Sequence, residues 1–194
     1  MAERAGEVVH EPYENSLTSK YLKSKYIVMF KRLLHTNNDP VFTIIRLALG
    51  TVFFAHGAQK MLGWFGGYGF AETLRAFSTL GMPAALALFV ILTEFLGSLA
   101  LICGVFARVA SGAVALLMVG AIAMVHAHFG FYMNWSGQQK GEGFEYHLLA
   151  IGLAVAVLVR GAGAFSIDGL LSNSKGVLNP IGAFNPTGKT AQSS

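Results

Sequence analysis

Four stretches of this chain, residues 41–62, 84–107, 109–128 and 144–159, are apolar and almost free of charge. Crossing the hydrocarbon of a bilayer takes about 20 such residues in succession. Four crossings would consume about 80 residues and leave only tails and short loops. The expectation is an integral membrane protein with no room for a separate catalytic domain. Composition agrees: 54% of the 194 residues are hydrophobic and 12% are charged, about half the charge of an ordinary soluble domain. That balance excludes intrinsic disorder. The one cysteine, Cys103, rules out a disulfide framework or a thiolate metal cluster within the chain.

Each span has a readable start or stop. Asp39 before Pro40 fits a helix start, because the carboxylate can accept from free amides and proline lacks an N–H to lose. Gly81-Met82-Pro83 opens the second span, Gly104 closes it, and Arg108 sits in the tight turn to the third, so these two spans form an antiparallel hairpin. Gly161-Ala162-Gly163 breaks the fourth and shortest span, and Ser166-Ile167-Asp168 can cap one further short turn. The expected fold is all-α, a four-helix membrane bundle. Phe70, Leu74, Phe77 and Leu80 recur at helical spacing and predict an outer-face loop helix between spans one and two.

Lys and Arg concentrate before span one, at Arg108, and at Arg160 with Lys175, whereas the other side carries Lys60, Arg75 and Lys140. The positive-inside rule then places both termini in the cytoplasm. Trp64, Phe65, Tyr68, Phe131, Tyr132 and Trp135 fall at the opposite boundary, where aromatic rings settle among headgroups. The basic run Lys20, Lys23, Lys25, Lys31 and Arg32 could suit nucleic acid, but beside a span it marks the cytoplasmic face and contact with anionic lipid. No nucleic-acid partner is expected. The chain divides into a basic extension with an interfacial helix (1–39), a membrane domain (40–171) and a flexible tail (172–194).

A charge in hydrocarbon needs a partner, a wet cavity or a route to the interface. His56 and Lys60 share one face near the outer end of span one, His126 lies near the same level on span three, and Glu145 begins span four there. These four groups suit either a structural hydrogen-bond network or a ligand site. Glu94 is the deepest acid. Counting residues puts Arg46 within roughly 6 Å of its depth, so the two are expected to pair. His126 and His128, two apart, diverge on a regular helix and cannot chelate one metal. A metal held by His56, His126 and Glu145 is geometrically open, but hydrogen bonding explains these donors better, and no metal is expected. Gly50, Gly57 and Gly97 with Ser98 are expected to let helices approach closely.

Taken in order, these residues resemble the DoxX family of membrane proteins. The resemblance rests on Arg46, then Phe54-Ala55-His56-Gly57-Ala58-Gln59-Lys60, Leu80-Gly81-Met82-Pro83, and Glu94-Phe95-Leu96-Gly97 with Gly104 and Arg108. It continues through His126, Gly130-Phe131, Gly141-Glu142-Gly143-Phe144-Glu145-Tyr146 and the closing glycines. It implies a four-span bundle in the bacterial inner membrane, associated with quinol oxidase or thiosulfate:quinone oxidoreductase subunits. It also implies site residues: Arg46, Glu94 and Glu145 in proton chemistry, and His56, Lys60 and His126 in holding a quinone. Since no redox centre is visible in the sequence, electrons would need a partner oxidoreductase or the quinone itself. Two alternatives stand beside this one: a non-enzymatic membrane scaffold for partner oxidoreductases, and a small-solute transporter, which at four spans would need a homo-oligomer.

Overall fold

A chain in hydrocarbon must satisfy its own amides and carbonyls. The computed structural model, which describes residues 13–173, is accordingly helical throughout its regular elements, and no strand occurs among the described residues. Residues up to Arg32 and residues from Leu33 onward form two units. The first holds most of α1 (Tyr13–Leu34), whose described side chains are largely exposed and whose last turn carries Lys31 and Arg32. The tail from residue 174 lies outside the described residues.

The second unit begins with α2 (Pro40–Leu62), capped as the sequence predicts: the Asp39 carboxylate accepts from the Val41 amide at 2.9 Å, with Pro40 in the first turn. Gly63 ends it in the left-handed region that glycine tolerates best. The loop helix forms as α3 (Gly69–Thr79), but Leu80 lies past its end and is exposed. The second apolar run is continuous from Ala84 to Cys103 yet is not one regular helix. It divides into α4 (Ala84–Leu92), a π-helical turn at Thr93–Gly97, and α5 (Ser98–Cys103).

The return arm of that hairpin is α6 (Ala107–Met124), shorter than the 109–128 span expected from sequence. Residues His126–Phe129 instead make a separate 3-10 turn. With 120° per residue in such a turn, His126 and His128 no longer point in opposite directions. Then come α7 (Glu145–Arg160) and α8 (Ile167–Asn173). Among the described residues, three helices are long and apolar enough to cross a membrane: Pro40–Leu62, Ala84–Cys103 and Ala107–Met124. The protein is a multi-pass membrane protein. At 16 residues α7 is about 24 Å long, less than a 30 Å hydrocarbon layer.

Helix α2 is the hub, packed against α3, α5, α7 and the π-turn, while α6 and α7 form the most extensive pair. That pair is close because α7 offers Ala150, Ala154 and Val157, all buried, to Ala110, Val114 and Leu117 of α6. Small residues permit such approach in a membrane, where van der Waals contact drives helix association. On α2, Gly57 is against backbone: an added Cβ would stand 2.5 Å from the Glu94 carbonyl carbon and the Phe95 amide. Gly50 meets Ser98 and Ile102 in the same way, whereas Gly97 has only Thr93 nearby and is not a close-approach point.

Candidate functional site

The polar residues inside the bundle separate into two groups. At one end, Arg46 is 2% exposed and gives its hydrogen bonds to carbonyls. Its Nε donates to Ala162 O, Nη1 to Leu101 O and Ile102 O, and Nη2 to Phe165 O, at 2.6–2.8 Å. Helix C-termini leave carbonyls without intrahelical partners, and Arg46 satisfies those ending α5 and following α7. The expected Arg46–Glu94 pair does not form. Gly57 lies against Glu94, so Arg46, eleven residues earlier on α2, is about 16 Å of helix away. The Cα–Cβ bond also tilts toward the helix start and carries Arg46 farther off.

The same end holds buried Asp168, whose carboxylate accepts from the amides of Phe106 and Ala107 at 2.8 and 2.9 Å, capping α6. Burial raises its pKa above the usual carboxylate value, outweighing those two amides and the Arg46 and Arg108 charges, which pull the other way. Arg108 closes the C-terminus of α7 through Leu158 O and Val159 O and also donates to His35 O. Ser166 accepts from the Gly169 amide and starts α8, as its spacing predicts.

At the other end, Glu94 pairs with Lys60, Nζ to Oε2 at 2.6 Å, with side chains 10% and 25% exposed. The backward tilt that removes Arg46 brings Lys60 inward from the last turn of α2. Glu94 stands in the π-turn, a one-residue disturbance of helix geometry often found at functional sites. Both residues line a cavity of about 720 Å³, together with His56, His126, Tyr146 and His147. Its walls are apolar, including Phe53, Phe77, Met82, Phe89, Leu117 and Met118. Phe77 places α3 over this space. His56 is exposed and has no hydrogen-bond partner among the described residues.

The His126 ring is 4.0 Å from that of His147 by centroids, and its Nδ1 is 2.8 Å from Glu142 O. His147 is 6% exposed and its Nδ1 is buried without a partner. Leaving such an atom unpaired costs about 1–3 kcal/mol. Four of the six expected site residues therefore meet at one cavity: His56, Lys60, Glu94 and His126. Arg46 and Glu145 are not part of its lining. Glu145 instead accepts from the Met133 amide and the Trp135 indole, both at 3.0 Å, and folds residues 131–145 back onto α7.

His147 and Tyr146, which line the cavity, are not among the site residues expected from the sequence. The spacing of His147, Ala150, Ala154 and Val157 is that of one helix face, and extending the small-residue stripe by one turn would have put His147 inside. The π-turn has no such signal. Among the described residues no group of three or more His, Cys, Asp or Glu could hold a metal ion.

A model of the DoxX family matches residues 41–127. A Bacillus subtilis (strain 168) protein described as "Putative oxidoreductase CatD" is 27% identical over 114 residues, covering 59% of this chain and 75% of that protein. No solved structure shows a significant match to the chain. From the first turn of α2 to the turn that carries His126, this membrane protein is similar to the DoxX family.

Proposed function

We propose that this protein is an inner-membrane subunit of a bacterial redox complex and that its cavity receives the ring of a quinone or quinol. On this reading α7 is the fourth crossing, tilted or assisted by local thinning to span with 16 residues, and both termini are cytoplasmic. The observation that carries the reading is the cavity itself. It is an apolar space whose polar groups gather around one ion pair and one buried histidine nitrogen that lacks a partner. Ligand sites commonly combine apolar walls with a few convergent polar groups.

The residues fit such a ring. Lys60 and Glu94 cancel each other's charge, so the cavity suits a neutral molecule with both donors and acceptors. Lys60 has three N–H donors and spends one on Glu94, leaving donors for a ring oxygen. His147, rotated by a small amount, supplies a second contact that would satisfy Nδ1. His126 is held by Glu142 O in one tautomer and leaves its other nitrogen for a proton. Glu142, at the cavity edge, takes the part in proton chemistry that the family resemblance implied for Glu145. Arg46 holds the opposite end of the bundle together. A bound quinol would supply two electrons and two protons, and a partner oxidoreductase would accept the electrons.

Equilibrium titration of purified protein in nanodiscs with a tailed benzoquinone tests this. The wild type is expected to bind saturably, and Glu94→Gln and His147→Phe are each expected to weaken binding about tenfold or more, about 1.4 kcal/mol. Binding unchanged in the combined variant rejects the site. Absence of binding alongside a co-purifying oxidoreductase would favour the scaffold alternative.

A further inference from the structure

The cavity has a side wall that the helices do not close. Helix α6 packs on α7, on α5 and on the π-turn, but α4 and α6 make no more than glancing contact. The two arms of the hairpin, joined at Gly104–Phe106, therefore separate toward the Lys60 end. Leu86 and Phe89 of α4 line one side of the gap, and Leu116, Gly120 and Met124 of α6 line the other. The last three are four residues apart and share one face. Leu116 and Met124 are 64% and 51% exposed, and a Cβ added at Gly120 would touch nothing within 4 Å. From Leu116 to Met124 this edge runs about 12 Å, from mid-helix to the end of the apolar run.

We propose that the gap between α4 and α6 is a lateral portal through which the ligand enters from the hydrocarbon, leaving its apolar tail in the gap while its ring reaches Lys60, Glu94 and His147. This rests on the quinone reading and adds to it that the occupant carries a long apolar tail and is dissolved in the bilayer. The occupant follows from polarity. The gap is apolar along its length and leads inward to the polar groups, which matches a molecule with one polar head and one long apolar chain. A helix from a second copy filling the gap would leave the polar groups unused.

The test compares uptake of a long-tailed benzoquinone from nanodisc lipid with uptake of a tailless, water-soluble benzoquinone. Gly120→Trp is expected to slow the tailed ligand at least tenfold and to leave the tailless one, which can arrive past Lys60 and Glu142, near the wild-type rate. Should the tryptophan impair folding, Gly120→Cys in a Cys103→Ser background can be blocked with a bulky maleimide after folding, with the same expected outcome. Wild type that binds both ligands and is unaffected by either block overturns the portal alone. So does a Gly120 cysteine that crosslinks to a second copy while tailed-ligand uptake stays fast. Wild type that binds neither ligand overturns the quinone reading and the portal with it.

Discussion

Lys60 and Glu94 each occupy a position that would be costly for a lone charge in hydrocarbon, so the pair is best understood through what removing one member leaves behind. Glu94→Gln strands an ammonium, and Lys60→Met strands a carboxylate. Breaking a fully buried pair costs about 3–5 kcal/mol. With Lys60 partly exposed, a loss of roughly 2–3 kcal/mol is expected for either single variant. The double variant should lose less than the sum, which detergent-denaturation curves can measure. His147 behaves in the opposite sense. His147→Phe deletes a buried nitrogen that has no partner, so the ligand-free protein should gain about 1–2 kcal/mol while quinone affinity falls. A residue serving only the fold would not separate those two readouts; a loss of stability together with unchanged binding would remove His147 from the site.

At the scale of elements, the contact between α2 and the π-turn fixes the level of Glu94. Gly57→Ala forces a methyl against backbone at 2.5 Å, where no side chain can swing aside. Overpacking usually costs about 1–3 kcal/mol, and the upper end is expected here, seen as lowered thermal stability with a disturbed Lys60–Glu94 pair. Across the bundle, Asp168 ties α8 to the start of α6. Because burial raises its folded-state pKa, the folded protein holds that proton more tightly than the unfolded chain does. The resulting stabilisation is present below the ordinary carboxylate value and is lost as pH rises through the raised one. The stability of the wild type relative to Asp168→Asn should therefore decline across that window. A flat difference would mean that Asp168 titrates as it does in the unfolded chain.

For the molecule as a whole, the parts written into local chemistry were legible in the sequence. The Asp39-Pro40 start, the Gly104 stop, the Gly161 break and the Ser166 turn each depend on a few adjacent residues, and all appear in the structure. Depth was not legible, because counting residues from span ends assumes that the spans start level. The excursion through α3 shifts the second span against the first, and it is Gly57, not Arg46, that meets Glu94. Histidine positions failed where helix geometry changed: α6 gives way to a 3-10 turn before His126, and His147 enters the core on a face otherwise built from alanine and valine.

On the proposed function, a quinone ring rests in the cavity bounded by the π-turn of the second span and the facing parts of α6 and α7. Photolabelling with an azido-substituted, isoprenoid-tailed benzoquinone, followed by peptide mapping, tests it most directly. Label is expected on peptides containing Met82, Met118, Met124 or Tyr146, and an excess of unmodified quinone should abolish it. Label confined to outward-facing residues such as Val52 and Leu149, or label insensitive to that excess, would mean that the ring does not occupy the cavity.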